Sequence, residues 1–152
     1  MLQNLKIRKA NKKDLNEILS LLYQLQRPRP KTSSKSLAFR KRIYQYFTEK
    51  DKKIIIAEQN SKIVGMISMM LLPRLNHSKL ELYIPELVVL ENHRGLGIGK
   101  SLMEFCVKIA KKKKCFRIRL ESGNKRKEAH QFYKKIGFEQ SALSYTKIID
   151  LE

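Results

Sequence analysis

Apolar residues along the chain follow two periods, and the changes of period divide it into elements. Leu5 to Arg8 reads as a first strand. Leu15, Ile18, Leu19, Leu22 and Leu25 recur three and four residues apart, which predicts a helix with Asn11 or Asp14 as its cap. Arg27-Pro28-Arg29-Pro30 breaks that helix, because each proline lacks a donor and restrains the residue before it. Thr32-Ser33-Ser34 opens a loop or a second helix with Leu37, Phe39, Ile43, Tyr44 and Phe47 as its apolar residues.

From Lys53 the period shortens. Ile54-Ile55-Ile56-Ala57-Glu58 is β-branched and short, hence a strand. Asn60-Ser61 makes a turn, and Ile63 to Leu72 returns as a long strand. After a turn at Asn76-His77-Ser78, Leu80 to Leu90 forms the next strand, in which Pro85 predicts an edge or a bulge. A helix follows Gly99 with Leu102, Phe105, Cys106, Ile109 and Ala110 inward. Phe116 to Glu121 is a strand, Ala129 to Ile136 a short helix ended by Gly137, and Phe138 to Ile149 the last strand or strands. The order β-α-α-β-β-β-α-β-α-β implies a mixed sheet with helices against it. There are no repeats and no internal linker, so one domain over residues 1–152 is expected.

Composition narrows the class. With 42% hydrophobic residues the chain is globular. No apolar run approaches the ~18 residues of a membrane helix, and Met1-Leu2-Gln3-Asn4-Leu5-Lys6 lacks the features of a signal peptide. A cytoplasmic protein with no membrane association is expected. Cys106 and Cys115 form no CxxC and no His cluster accompanies them, so no metal site is expected. Cys106 sits in a helical apolar pattern and reads as a core residue.

The net charge is +19. Between Glu91 and Gly137 fourteen Lys and Arg stand against four Glu, a balance of +10. A positive field draws phosphates, although Lys111 to Lys114 read more simply as the solvated end of a helix. The same segment holds a strand, Leu87-Val88-Val89, then Arg94-Gly95-Leu96-Gly97-Ile98-Gly99-Lys100, then a helix from Ser101. A helix start offers unpaired N–H groups and partial positive charge, and glycines let an anion approach them. Arg94 and Lys100 add full charges, so the ligand of this turn is a phosphate or pyrophosphate. The Walker spacing is absent. A Rossmann fingerprint would lie in a βαβ unit near the chain start, whereas about five elements precede this loop.

Arg94-x-x-Gly97-x-Gly99 after a Val-rich strand resembles the acyl-CoA motif of the GNAT superfamily of N-acetyltransferases. Ala129-His130-Gln131-Phe132-Tyr133-Lys134-Lys135-Ile136-Gly137-Phe138 resembles a second segment of that family, at the expected distance. The resemblance covers nearly the whole chain. It implies an α/β (α+β) fold: a mixed, mostly antiparallel central sheet of six to seven strands, flanked by about four helices, with strands four and five splayed. It implies acetyl-CoA as cosubstrate. Pantetheine would pair with main chain at Leu87, Val88 and Val89, and a main-chain N–H near Val88 would polarise the thioester carbonyl. The amides of Arg94, Gly95, Leu96, Gly97, Ile98, Gly99, Lys100 and Ser101 would hold the pyrophosphate.

Tyr133 matches the family's general acid, which protonates the departing thiolate. The family often has an asparagine seven residues before that tyrosine. Here Arg126 occupies the position, and nearby Asn124 is the alternative cofactor contact. Glu86, a charge in an otherwise apolar strand, is the candidate general base, with Glu81 and Glu121 in reserve. Its plainer reading is an outward-facing residue on an alternating strand. His77, His93 and His130 read as surface or packing residues.

Two other readings compete: a basic nucleic-acid or ribosome-binding protein, and a CoA-binding sensor without turnover. No helix-turn-helix, zinc-finger or RNA-binding aromatic signature supports the first. A monomer or homodimer is expected. The resemblance implies that the acceptor docks against the first two helices and the loop between strands three and four, here Leu25 to Phe47 and Pro73 to Lys79. Both segments are basic, which disfavours a polycation; small amines, amino acids, antibiotics and protein termini stay open.

Overall fold

The computed structural model describes residues 2–25 and 29–150. They form two compact units, one up to Leu120 and one from Glu121 onwards.

The first unit opens with β1 (Leu5–Lys9), then α1 (Leu15–Gln24) and α2 (Ser33–Thr48). Asn11 and Asp14 act together: the Asn11 side chain accepts from the Lys13 N–H and the Asp14 carboxylate from the Asn11 N–H. Asp14 also receives two bonds from the Arg8 guanidinium, which ties the start of α1 to β1. The proline break begins at Arg27 and Pro28, which lie outside the described residues, as does Gln26. Thr32 caps α2 by accepting from the Lys35 N–H, so the second of the two alternatives for this segment is the helix. α2 buries only Ile43 fully, and Leu37 on it is 67% exposed.

β2 (Lys52–Gln59), β3 (Lys62–Arg74), β4 (His77–Ile84) and β5 (Leu87–Val89) follow, then α3 (Ile98–Lys112) and β6 (Arg117–Leu120). β1, β2, β3 and β4 pair antiparallel in chain order, β5 pairs antiparallel with β3, and β6 joins β4 in parallel. This is the mixed, mostly antiparallel sheet, with six strands among the described residues. The central stretches of β2 and β3, Ile54 to Ala57 and Ile63 to Met69, are buried on both faces, since residues of alternate parity serve opposite faces. Ile54, Ile56, Met66 and Val88 cluster with α1 and Ile43 of α2. On the α3 side, a Cβ at Gly65 would lie 3.1 Å from the Val88 carbonyl oxygen and 3.3 Å from both Ile98 and Leu102. The missing side chain lets the start of α3 settle onto the sheet beside β5. Cys106 on α3 is fully buried, and burial pushes its thiol up to about 12.

β4 and β6 are joined by a buried carboxylate. Glu81 is 0% exposed and accepts from Arg119 Nε at 2.9 Å and Arg117 Nε at 2.6 Å. Burial pushes its carboxyl upward, but the two guanidinium groups outweigh that and hold it below the usual range. The reserve base is thus committed to joining two strands.

The second unit holds α4 (Lys127–Lys135), after which the chain turns through Gly137 at φ +98°. Phe138 to Ile149 makes no strand, contrary to the expectation from its pattern. A strand exists only through ladder bonds to a neighbour, and apolar alternation cannot supply that neighbour. Leu143, Tyr145, Ile148 and Ile149 are 65–89% exposed.

Glu81→Gln should lower stability at neutral pH by about 1–3 kcal/mol, through loss of charge-assisted bonds to a buried group. Because the folded pKa is depressed, Glu81 stabilises fully above the unfolded carboxylate range. That contribution fades as pH falls below about 4.3 through the lower folded value. The gap in thermal midpoint between wild type and variant should therefore narrow as pH falls below the unfolded carboxylate range. A pH-independent gap would contradict the assignment.

Candidate active site

The strand predicted from Leu80 to Leu90 is one strand broken by one extra residue. β4 pairs with β3 in one register, with Met70 opposite Tyr83, and β5 in the next, with Ile67 opposite Leu87. Two residues of β3 thus face Ile84, Pro85 and Glu86. Pro85 brings no N–H to a ladder, so the bulge falls there. Before the bulge β4 runs beside β6 as far as Ile84 opposite Leu120. After it β5 pairs with β3 alone, so among the described residues of this unit the expected splay begins at the bulge.

The register orients the main chain of β5. The Ser68 N–H donates to the Glu86 carbonyl at 2.9 Å, and the Leu90 N–H to the Val64 carbonyl at 2.9 Å. Val88, midway and opposite Met66, turns toward β3 in the same way. Leu87 and Val89 therefore turn their peptide groups away from β3, to the splayed side. The donors available there are the neighbours of Val88, not Val88.

Glu86 is half-buried and lines a cavity of about 380 Å³ with Leu19, Leu22 and Tyr23 of α1 and Phe39, Arg42 and Ile43 of α2. Its carboxylate accepts a bond from the Ser68 hydroxyl, and its own N–H donates to Ser68 Oγ at 3.0 Å. Burial, followed by the charge of Glu86, pushes the nearby Tyr46 phenol up to about 12, and Arg42 acts on it in the opposite sense. One acidic and one basic side chain thus stand in an otherwise largely apolar lining.

The glycine turn follows β5. Gly97, at φ +88°, occupies the cap position of α3, a conformation that L side chains rarely adopt. No side chain caps this helix start. Its first N–H groups, from Ile98 to Lys100, have no intrahelical acceptor and carry the positive end of the dipole. Two amides of the expected cradle are already used within the chain: Arg94 N–H donates to Glu91, and Ser101 N–H to Gly97. Arg94 Nε donates to the Val89 carbonyl at 3.1 Å, so this side chain also braces the turn against β5. Lys100 lies 3.9 Å from Glu104 with both exposed, a weak pair. Gly95, Leu96 and Gly97 are exposed in the turn, and Ile98 is buried as the anchor of α3.

In the second unit Tyr133 lies on α4, with its ring edge-on to Phe132 and Phe138 at 5.3 and 5.9 Å. Burial raises its phenol above the ordinary value, against a smaller opposing effect of Arg126, so it stays protonated at neutral pH. Asn124 and Glu121 are exposed there, and Glu121 accepts a bond from Ser144. His130 Nε2 lies 2.8 Å from the Gly123 carbonyl, a packing role.

Ser68, Arg42 and Tyr46 were missed in the sequence. Ser68 alone carried a signal, as a polar residue inside the apolar run Ile63 to Leu72. Among the described residues no group of three or more His, Cys, Asp or Glu could hold a metal.

Residues 17–138 match the model of the acetyltransferase (GNAT) family. The chain is 29% identical over 143 residues to aminoalkylphosphonate N-acetyltransferase of Salmonella typhimurium, covering 94% of this chain and 90% of that protein. It is 30% identical over 136 residues to an uncharacterized N-acetyltransferase of Methanocaldococcus jannaschii, covering 88% of this chain and 60% of the relative. The crystal structure of glucosamine-6-phosphate N-acetyltransferase from Arabidopsis thaliana superposes with a TM-score of 0.81 at 25% identity, over 97% of this chain and 100% of that one. The broken strand, the uncapped glycine helix start and this match together show that the chain belongs to the acetyltransferase (GNAT) family.

Proposed function

We propose that the protein transfers the acetyl group of acetyl-CoA to the primary amine of a small acceptor held in the cavity between α1, α2 and Glu86, by direct attack within a ternary complex. The observation that carries this reading is the place of Glu86. It lines the cavity at the residue where β5 parts from the β4–β6 ladder. Acetyl-CoA supplies the thioester carbonyl and the thiolate leaving group. The amides at the start of α3 bind its pyrophosphate, and the outward peptide groups of Leu87 and Val89 pair with its pantetheine. One of those two N–H groups polarises the carbonyl. Glu86 takes a proton from the acceptor ammonium, so that the nitrogen lone pair can attack. Tyr133 is assigned as the acid that protonates the thiolate, on its family motif and its protonated phenol.

For the acceptor, a cavity of about 380 Å³ suits a small molecule. The Salmonella relative is named for an aminoalkylphosphonate and the Arabidopsis structure for glucosamine 6-phosphate, both amines carrying an acidic phosphorus group. Arg42, in the same lining as Glu86, would receive such a group. The charge of +19 draws anionic acceptors and disfavours polyamines.

Micromolar acetyl-CoA should raise the thermal midpoint, and a nonspecific oligonucleotide should not. Stabilisation by the oligonucleotide alone would replace the enzyme by a nucleic-acid-binding protein. In a thiol-release assay over an amine panel, Glu86→Gln should lower kcat by about 10²–10⁴-fold, and Tyr133→Phe should lower it while leaving acetyl-CoA affinity nearly intact. Acetyl-CoA binding without turnover on any amine of the panel would favour a CoA sensor. Within the panel, 2-aminoethylphosphonate and O-phosphoethanolamine should outperform ethanolamine. Arg42→Met should raise KM for the two acids by roughly 10-fold or more and leave ethanolamine unchanged; equal effects on all three would remove Arg42 from recognition.

A further inference from the structure

Ser68 stands out on β3 because it is polar, 2% exposed and flanked by Ile67 and Met69. A buried hydroxyl in such a strand needs partners. Every bond described for it goes to Glu86. The Ser68 N–H donates to the Glu86 carbonyl at 2.9 Å. The Glu86 N–H donates to Ser68 Oγ at 3.0 Å, and Ser68 Oγ in turn donates to Glu86 Oε2.

The arrangement follows from the bulge. In the register of β5, Ser68 stands opposite Glu86, and a regular antiparallel pair would exchange two main-chain bonds. Only one is made. The other donor, the Glu86 N–H, is met by the Ser68 hydroxyl, and the hydroxyl's own proton is turned onto the Glu86 carboxylate. The Ser68 side chain thereby closes the irregular ladder and holds one oxygen of the carboxylate above it. Ser68 does not line the cavity, so it has no contact of its own with an acceptor held there.

We propose that Ser68 is the positioning residue of the general base: its hydroxyl holds the Glu86 carboxylate in the orientation from which it takes the acceptor's proton. This rests on the assignment of Glu86 as base made above. An alanine would leave the bulge with an unmet N–H and remove the hydroxyl's hold on the carboxylate. A threonine would restore the hydroxyl on a β-branched residue suited to a strand.

The test is a double-mutant cycle on the full chain, with kcat, KM for the best amine of the panel, acetyl-CoA affinity and thermal midpoint measured for each protein. Ser68→Ala should lower kcat on the order of ten-fold, as expected for a catalytic group displaced by a fraction of an ångström, with acetyl-CoA affinity unchanged. Ser68→Thr should recover most of that loss. In the Glu86→Gln background, Ser68→Ala should lower kcat no further, because its effect passes through the carboxylate. Full additivity of the two losses, or a wild-type kcat in folded Ser68→Ala, would overturn the proposal. A Glu86→Gln variant with wild-type kcat would instead overturn the base assignment. If Ser68→Ala fails to fold, the same comparison is made with Ser68→Cys, which keeps a weak donor of similar size. A drop in kcat that vanishes in the Glu86→Gln background supports the proposal, and an additive one overturns it.

Discussion

One surplus residue in a strand organises the site. If Pro85 and Glu86 were accommodated in regular register, β4 and β5 would be a single strand paired with β3. The surplus residue shifts the ladder by one, ends the partnership with β6 at Ile84, and turns the peptide groups of Leu87 and Val89 outward. It also sets Glu86 where its side chain enters the cavity while its main chain is held by Ser68. Three features thus come from one irregularity: outward donors on a strand, a carboxylate lining a cavity, and a gap between strands.

Irregularities of this kind need firm surroundings. On one side Glu81, with Arg117 and Arg119, binds β4 to β6 immediately before they part. On the other the bare Gly65 lets α3 pack close behind β5. The glycine turn between β5 and α3 is braced by Arg94 against Val89 and by Gly97 at the helix cap. A buried ion pair and a close packing contact therefore bracket the splayed segment, so its geometry is held from both ends.

Much of this was legible in the sequence because it is local. The period of apolar residues located the helices and the long strands, Pro85 announced the bulge, and the glycine spacing with the Tyr133 segment pointed to the family. What stayed hidden depends on partners distant in the chain. Ser68 meets Glu86 across eighteen positions, and nothing near either residue reports that meeting. Glu81 looked like a spare base until Arg117 and Arg119 were found on it. The pattern from Phe138 to Ile149 has the composition of a strand, yet composition carries no information about which neighbour receives its hydrogen bonds. The Arg94 side chain was expected to serve the ligand, and its Nε is bonded to Val89 in the same turn.

The second helix has a further consequence. It forms one wall of the cavity and packs Ile43, Phe39, Tyr46 and Phe47 against the core, while Leu37 and Arg42 lie at its surface. Substitutions along its exposed face touch little of the packing that holds the bulge, the glycine turn or the sheet. If the cavity receives the acceptor as proposed above, changes on that face would reshape the acceptor's wall and leave the bulge and the glycine turn as they are.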